Sequence, residues 1–398
     1  MCINCGQCAN VCPVDSIIEK YEYLDVKREV QNSEKIVIVS TSPSVRAALG
    51  EEFGMLDGSF VQGKMVSLLR KLGVNYVLDT CFAADLTIVE EASELIERVT
   101  KKNAPLPQFT SCCPAWVKYV ETYYPEMIPN LSSAKSPIGM QGPTIKTYFA
   151  EKKGIDPKSI VNVALTPCTA KKFEIRRDEM NASAHYLGVE GMRDMDYVIT
   201  TRELAKWAKE EGIDFASLED GEYDNFMGDA SGAGIIFGNT GGVMEAALRT
   251  AAEVIEGKPL EKLEFDDVRG TEGIKFAKYK LGDVELKVAV ASGTANANKL
   301  LRGVQDGTYD VQFIEIMACP GGCVNGGGQP LQPASVRNNV DLKSLRASVL
   351  YKADSEKLEF RKSHENPLIK KVYEEFLGEP NSHKAHELLH THYIKRGL

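Results

Sequence analysis

Ten cysteines are spread unevenly along this 398-residue chain, and four of them fall in its first twelve residues. They follow the pattern Cys2-x-x-Cys5-x-x-Cys8-x-x-x-Cys12-Pro13. This is the spacing of bacterial iron–sulfur ligand runs, in which tight turns bring three thiolates onto one cubane and the proline stops the local helix. Structural zinc sites usually hold two CxxC pairs farther apart. The run therefore predicts a [4Fe–4S] cluster rather than zinc.

The fourth cysteine of the run, Cys12, has no single assignment. In proteins with two clusters the fourth cysteine of such a run serves the other cluster, and no second run exists in this sequence. Three alternatives stay open. Cys12 ligates the single cluster, is free, or belongs with a missing upstream segment.

The remaining six are Cys81, Cys112, Cys113, Cys168, Cys319 and Cys323. Most of them follow segments that resemble strands. In open α/β sheets, binding sites form beyond the carboxyl ends of the strands, so distant cysteines can meet in one crevice. The glycines around Cys319 and Cys323 let backbone N–H groups approach an anionic group closely. The pattern predicts a bulky inorganic ligand, and only Cys81 is interpreted as a buried thiol without a chemical role.

Alternating strand and helix patterns predict the frame that positions these cysteines. Apolar runs predict strands over Lys35–Ser40, Asn75–Thr80, Ser159–Leu165, Asp196–Ile199, Glu285–Ala291 and Gln312–Met317. Helices are predicted from Ser44 onward and over Asp85–Lys101, Glu203–Glu211 and Gly241–Glu256, with Thr200 as an N-cap. The alternation predicts an α/β fold with mixed, mostly parallel sheets flanked by helices. Residues 35–49 resemble residues 286–301, which indicates two similar lobes.

The composition is that of a globular protein, with 43% hydrophobic residues, 26% charged residues and a formal net charge of −9. This charge, without any polybasic run, argues against a nucleic-acid binder and against a membrane-surface protein. We expect no signal peptide and no transmembrane helix, and so a cytoplasmic protein with reduced thiols. The charged stretch over residues 19–34 divides an iron–sulfur segment (1–30) from one large domain (31–398).

Two further motifs are interpreted as packing segments rather than as a zinc site or a dinucleotide-binding site. Residues 386–390 fit the zinc pattern H-E-x-x-H, but no third ligand is evident in the sequence and little chain follows to build a cleft. The Gly232-x-Gly234 segment is one residue off the dinucleotide-binding fingerprint and follows no clear strand.

Three segments together resemble the signature motifs of the [FeFe]-hydrogenases: Thr110–Trp116, Thr166–Glu174 and Cys319–Pro330. The similarity continues through residues 231–234, 237–245, 346–351, 362–366 and 385–390, and so covers nearly the whole chain. It implies a two-lobed α/β domain with a six-iron H-cluster between the lobes, preceded by a short ferredoxin-like segment. That cofactor is a [4Fe–4S] cubane joined through one thiolate to a diiron subsite with CO, cyanide and azadithiolate ligands.

The resemblance also implies roles for residues around this cofactor. The cubane ligands would be Cys113, Cys168, Cys319 and Cys323, of which Cys323 bridges to the diiron subsite. Cys112 would exchange protons with the bridge amine, a task that suits a thiol because its pKa can be moved within reach of neutral pH. The groups around the diiron subsite would be Ser44 and Lys171, which donate to the cyanides, Pro167 through its backbone, and Met317 and Phe237 as apolar shields.

A proton relay would connect Cys112 to the surface. Glu91 and Glu94 lie three residues apart on a predicted helix and therefore share a face. The pattern alone is also typical of a solvated helix face. The resemblance instead implies the order Cys112, Glu91, Ser132, Glu94, with Arg98 near the outer end.

The sequence departs from the family pattern around the cofactor. Thr166 stands where most members carry Met, Ala115 where many carry Gly, and Ser42 where Ala is common. These changes indicate a divergent subgroup with an altered environment of the diiron subsite. Cys112 is retained, which argues against the sensory members and against the hydrogenase-like assembly proteins.

The function that the resemblance implies is reversible H2 oxidation and proton reduction. Electrons would pass through one N-terminal [4Fe–4S] cluster to ferredoxin or a similar carrier, and maturation enzymes would supply the diiron subsite. Two alternatives are a redox or H2 sensor or electron-transfer subunit of a larger complex, and a non-catalytic iron–sulfur protein.

Overall fold

The computed structural model describes residues 1–12, 14, 16–101, 104–271, 273–282, 284–357 and 359–397. Over these residues eight strands form two four-stranded sheets flanked by helices. The strands are β1 (Ile36–Thr41), β2 (Tyr76–Asp79), β3 (Gln108–Phe109), β4 (Ile160–Thr166), β5 (Tyr197–Thr200), β6 (Ile274–Leu281), β7 (Val284–Ser292) and β8 (Phe313–Met317). The predicted α/β fold with mostly parallel sheets is confirmed.

Seventeen α-helices are described alongside the sheets. They are α1 (Gln7–Val11), α2 (Tyr23–Gln31), α3 (Gln62–Lys71), α4 (Thr80–Lys101), α5 (Pro114–Tyr123), α6 (Pro137–Thr144), α7 (Ala150–Lys153), α8 (Lys171–Glu174), α9 (Ala182–Leu187), α10 (Thr201–Glu210), α11 (Gly232–Ile236), α12 (Gly242–Glu256), α13 (Thr294–Gln305), α14 (Ala334–Arg337), α15 (Leu342–Glu356), α16 (Pro367–Val372) and α17 (His383–Leu389). Short 3₁₀ segments cover Leu49–Phe53, Pro125–Asn130, Pro157–Ser159, Asp266–Val268, Cys323–Asn325 and Ser363–Glu365, and π segments cover Ile145–Phe149 and Tyr373–Leu377. Pro13, which we expected to stop the first helix, lies outside the described residues.

The first sheet has the strand order β2-β1-β4-β5 and is parallel throughout. All seven residues of β4 are buried, as its apolar sequence predicts for a strand covered on both faces. Thr200 caps α10 as predicted, and it forms a capping box with Glu203.

The second sheet has the order β3-β8-β7-β6, with β6 antiparallel to β7 at the edge. The sequence analysis missed β6. Its residues are partly exposed and lysine-rich, which suits an edge strand but gives no buried apolar run.

The helix predicted from Ser44 onward is wrong. Turns follow β1, and then comes the 3₁₀ segment. Tertiary contacts take the backbone groups that a helix would need, because the Ser44 carbonyl accepts from Gln329 Nε2 at 2.9 Å and the Arg46 carbonyl accepts from Val61 N–H at 2.9 Å. The turn thereby keeps the Ser44 side chain at the end of the sheet.

Helix α4 connects the cores of the two sheets. It begins at Thr80, earlier than predicted. Phe82 and Leu86 pack in the core beneath the first sheet, while Ile88 and Leu95 pack in the core beneath the second. Opposite faces of one helix thus join the two lobes, and the polar residues of α4 lie near the line where the lobes meet.

The first 30 residues do not stand apart from the rest. Tyr23 and Val26 of α2 are buried in the core of the first sheet. The division at residue 30 stays a prediction. No helix among the described residues is long and apolar enough to cross a membrane.

Candidate active site

A largely apolar cavity lies at the carboxyl ends of strands from both sheets. Its lining comes from the turn after β1, from α4, from the segments after β3 and β4, and from the loop after β8: Ser42, Pro43, Ser44, Thr80, Ala84, Cys112, Cys113, Pro114, Ala115, Pro137, Ile138, Thr166, Pro167, Cys168, Lys171, Phe237, Gly238, Met317, Cys319, Gly322, Cys323 and Gly326. Five of the six cysteines beyond the N-terminal run therefore meet here, as the strand-end argument predicts.

The four proposed cubane ligands, Cys113, Cys168, Cys319 and Cys323, all line this cavity. Burial, and then the neighbouring thiols, raise the pKa of Cys168 to about 12 and that of Cys319 well above its usual range. Burial likewise raises the pKa of Cys113 and of Cys323. Thiolates so close together need positive charge between them, and iron supplies it. The donor set therefore fits an iron–sulfur cluster.

The lining of the cavity also offers hydrogen-bond donors, Ser44 and Lys171. Ser44 Oγ is buried and has no hydrogen-bond partner among the described residues. A Cβ on Gly238 would lie 2.3 Å from this oxygen, so glycine leaves room for it. Lys171 Nζ donates to Glu174 at 2.7 Å and to the Cys112 carbonyl at 3.1 Å. Although burial acts to lower it, the Glu174 carboxylate raises the pKa of Lys171 and keeps it charged.

The remaining predicted lining residues are largely buried around the cavity: Thr166, Ala115, Pro167, Met317 and Phe237. Three apolar neighbours were missed by the sequence analysis, namely Ala84, Pro137 and Ile138. Pro137 and Ile138 open α6 behind the N-cap Ser136, a pattern that predicts a helix start but gives no indication of what lies above it.

The predicted relay residues cluster between α4 and the segment before α6. Ser132 Oγ donates to Glu94 Oε2 at 2.7 Å, and Arg98 Nη2 donates to Glu94 Oε1 at 2.6 Å. The Glu91 carboxylate is fully buried, and neither oxygen has a hydrogen-bond partner among the described residues. Burial, and then the charge of Glu94, raise the pKa of Glu91 to about 8.

Cys112 completes this arrangement on the cavity side. Burial, and then the charge of Glu91, raise the pKa of the Cys112 thiol. Both groups therefore favour their neutral, proton-carrying forms near neutral pH. A solvated helix face would show neither feature.

The N-terminal run packs directly on the cavity loops. Thr169 Oγ1 donates to the Asn4 carbonyl at 2.7 Å, and Gln7 Nε2 donates to the Asn325 carbonyl at 2.8 Å. A Cβ on Gly327 would lie 2.1 Å from the Cys5 carbonyl oxygen, so this close approach requires glycine. The segment that carries the run is thus held against the loop that carries Cys323.

Exposure separates the four N-terminal cysteines. Cys2 and Cys8 are exposed, while Cys5 and Cys12 are partly buried. Cys12 Sγ lies 3.4 Å from Ser16 Oγ. This hydrogen bond, followed by backbone N–H groups, lowers the pKa of Cys12 to about 7. The three alternatives for Cys12 stay open.

The two remaining motifs serve packing. The His386 and His390 rings pack with centroids 4.1 Å apart and planes tilted by 35°, and His390 forms hydrogen bonds with Ser133 and Glu90. Among the described residues, no three His, Cys, Asp or Glu side chains are grouped to hold a single metal ion. Gly234 packs against the Cys81 backbone, where a Cβ would lie 2.6 Å from the Cys81 carbonyl oxygen.

Comparison with known families matches three parts of the chain. Residues 35–327 match the iron only hydrogenase large subunit, C-terminal domain. Residues 340–396 match the iron hydrogenase small subunit, and residues 1–18 match a 4Fe-4S binding domain.

Individual proteins agree with these matches. The NADP-reducing hydrogenase subunit HndD of Solidesulfovibrio fructosivorans is 50% identical over 100% of this chain and 66% of its own length. Iron hydrogenase 1 of Clostridium pasteurianum is 49% identical over 96% of this chain and 65% of its own length. The chain thus spans slightly under two thirds of these relatives. A solved variant of the [FeFe]-hydrogenase HydA1 from Chlamydomonas reinhardtii superposes with a TM-score of 0.82 at 42% identity, covering 95% of this chain and 100% of that one.

A more distant group has a different description. The cytosolic Fe-S cluster assembly factor narfl of Danio rerio is 30% identical over 94% of this chain and 90% of its own length. The fold is therefore shared by proteins that are named for hydrogen chemistry and by proteins that are named for cluster assembly.

Proposed function

Because the chain belongs to the iron-only hydrogenase family, we propose that it catalyses the reversible reaction H2 ⇌ 2H⁺ + 2e⁻ in the cavity between its two sheets. The observation that carries this proposal is the cysteine arrangement. Four thiols line one cavity, with Cys168 and Cys319 buried and Cys113 and Cys323 partly buried. A fifth thiol, Cys112, lines the same cavity close to the buried carboxyl group of Glu91.

The proposed cofactor is the H-cluster, whose diiron subsite carries CO, cyanide and azadithiolate ligands. Cys113, Cys168, Cys319 and Cys323 would hold its cubane, with Cys323 as the bridge. When bound, the cofactor supplies the site that splits H2 and stores the two electrons. The unpartnered hydroxyl of Ser44 supports this assignment because a buried polar atom without a partner is costly unless a ligand completes it.

The chain's own task is to move the proton. Because both groups hold a proton near neutral pH, Cys112 takes a proton at the cavity wall as it passes its own to Glu91, and Glu91 in turn gives its proton outward. Ser132 bridges to Glu94, whose carboxylate is held by Arg98.

Electrons would leave through the N-terminal run. Its hydrogen bonds to the loop after Cys323 support this route, because a cluster ligated by Cys5 would lie against the cubane loop. The external carrier is a soluble redox protein, with ferredoxin as our proposal, and maturation enzymes would install the diiron subsite. We also propose that the first 30 residues act as this electron inlet in a cytoplasmic protein.

The second candidate is an iron–sulfur protein without H2 turnover, which is favoured by the 30% identity to a cluster assembly factor. The higher identity of about 50% to hydrogenases argues for the first candidate. A sensor or a subunit of a larger complex would hold the same cofactor as the proposed enzyme but would differ from it in the rate of H2 turnover.

The test is H2-dependent reduction of a dye by the matured protein, together with exchange of H2 with heavy water. The Cys112→Ala variant should keep its iron and lose roughly 10²–10⁴-fold in both rates, as expected when a proton-transfer group is removed. The Cys81→Ala variant, which removes a buried thiol outside the cavity, is the matched control. Equal rates in Cys112→Ala and wild type would refute the relay role of Cys112. If the matured wild-type protein neither reduces the dye nor exchanges H2 with heavy water, the proposal that it is a hydrogenase is refuted.

A further inference from the structure

Helix α4 begins at Thr80, and this residue lines the same cavity as the cysteines. Thr80 is 2% exposed, and its hydroxyl has no hydrogen-bond partner among the described residues. The resemblance to the family gives a role to Ser44 but none to Thr80. Because a buried hydroxyl without a partner is costly, a group that enters the cavity and accepts from Thr80 would relieve this cost.

The hydroxyl of Thr80 is not needed to cap α4. Asp79 Oδ1 accepts from the Cys81 N–H at 2.9 Å, and so satisfies a backbone donor in the first turn of the helix. Arg46 fixes the Asp79 carboxylate, because its Nη1 and Nη2 atoms donate to the two oxygens at 3.0 and 2.7 Å. The start of α4 is therefore held by its neighbours, and the Thr80 hydroxyl is left for another partner.

Thr80 and Ser44 come from neighbouring strands. β1 and β2 are parallel, with Thr41 opposite Asp79, so the residues that follow the two strands lie at one edge of the sheet. Ser44 follows β1 and Thr80 directly follows β2. Both hydroxyls are buried without a partner among the described residues, and both residues line one cavity. The edge of the first sheet thus offers two hydrogen-bond donors to one ligand.

The charges at this edge favour an anionic acceptor. α4 is 22 residues long, and the positive end of its dipole lies at Thr80. Ala84 also lines the cavity and is four residues further on, so the face of α4 that carries Thr80 is turned to the cavity. Among the described residues of the lining, no carboxylate is present, and Lys171 supplies a positive charge.

We propose that Thr80 is a further cofactor-binding residue, whose hydroxyl donates a hydrogen bond to an anionic, cyanide-type ligand of the diiron subsite. This inference rests on the proposed function, because it requires the H-cluster. A hydroxyl that donates to an anionic acceptor in a largely apolar cavity forms a charge-assisted hydrogen bond. Such a bond draws electron density from the iron toward the cyanide, and so leaves less density for back-donation from the iron into its CO ligands.

The test replaces the hydroxyl with a methyl group of similar size. In matured Thr80→Val, the infrared bands of iron-bound CO should move to lower wavenumber than in wild type, because the iron regains electron density. Thr80→Ser keeps a hydroxyl and should leave the bands near their wild-type positions. Thr87→Val is the matched control and should also leave them in place, because Thr87 is a buried residue of α4 that lies outside the cavity lining and donates to the Ala83 carbonyl at 3.0 Å.

Thermal unfolding of the protein before maturation separates this role from a structural one. Since the Thr80 hydroxyl has no protein partner to lose, Thr80→Val should unfold at the same temperature as wild type or higher. A midpoint well below that of wild type would show that the hydroxyl serves the fold, and would overturn the inference. CO bands that do not shift in matured Thr80→Val, or that shift to higher wavenumber, would also overturn it. If matured wild type shows no CO bands at all, the proposed function itself fails.

Discussion

The two groups of cysteines in this protein are built in opposite ways. The N-terminal four lie within twelve residues and are partly or fully exposed, so the local turns alone bring them together. The cavity cysteines come from segments after β3, β4 and β8 and are buried or partly buried; none of them is exposed. The pKa of Cys12 is lowered to about 7 by Ser16 and backbone donors, whereas burial raises that of Cys168 to about 12. Local spacing thus makes an accessible cluster site, and topology makes an enclosed one.

The largest effect should follow from removing one enclosed thiol. Cys168→Ala leaves three ligands in a cavity that disfavours thiolates, so we expect loss of the buried cubane, about four irons, and loss of H2 turnover by more than roughly 10³-fold. Iron analysis and dye-linked H2 uptake measure both. Cys81→Ala is again the control and should keep its iron. Full iron content in Cys168→Ala would contradict its role as a ligand.

The next effect concerns the buried carboxyl group of Glu91. Its pKa of about 8 in the folded protein lies above its ordinary value of 4.5, so the folded state keeps a proton that the unfolded state has lost between these values. Stability should therefore fall as pH rises through this window, and Glu91→Gln should remove that slope. Denaturation at several pH values measures it.

Infrared spectroscopy gives a second measurement of the protonation of Glu91. An infrared carbonyl band that disappears as pH rises through about 8 should be present in wild type and absent in Glu91→Gln. H2 turnover in this variant should fall roughly 10²–10⁴-fold with its iron intact. A band that is already lost well below neutral pH would show that Glu91 is ionised, and the account of the relay would then be wrong.

The smallest effect on H2 turnover should come from removing a cysteine of the N-terminal run. Cys5→Ser should lose about four N-terminal irons and keep the buried cofactor, so dye-linked turnover changes little while reduction of a protein carrier collapses. The paired variant Cys12→Ser decides among the alternatives for Cys12, because it loses the same irons only if Cys12 is a ligand. Loss of dye-linked turnover in Cys5→Ser would mean that the two cysteine groups are not independent.

Much of this arrangement could be predicted from the sequence because its strands are buried apolar runs. β4 and β8 are such runs, and the cysteines that follow them meet where parallel strands end. The turn at Ser44 could not be predicted, since contacts from Gln329 and Val61 replace the helix that the local sequence favours. The edge strand β6 could not be predicted for a different reason, because Leu281 is its only buried residue and it has no buried apolar run.

The polar surroundings of the site were the least predictable part. Glu91 and Glu94 were found through a resemblance, whereas helical spacing alone favoured a solvated face. The bridge from Glu90 through His390 to Ser133 joins residues about 260 to 300 positions apart, at 2.8 and 2.9 Å, and no local pattern encodes it. His390 was instead noticed within a zinc motif that it does not complete.

The central claim is that the enclosed cysteine group holds the cofactor at which H2 reacts. The most direct measurement is the infrared spectrum of the protein after maturation, recorded with and without H2. The account predicts bands from iron-bound CO and cyanide that shift when H2 is added and that persist in Cys5→Ser but vanish in Cys168→Ala. A matured protein that carries its iron but shows none of these bands would contradict it.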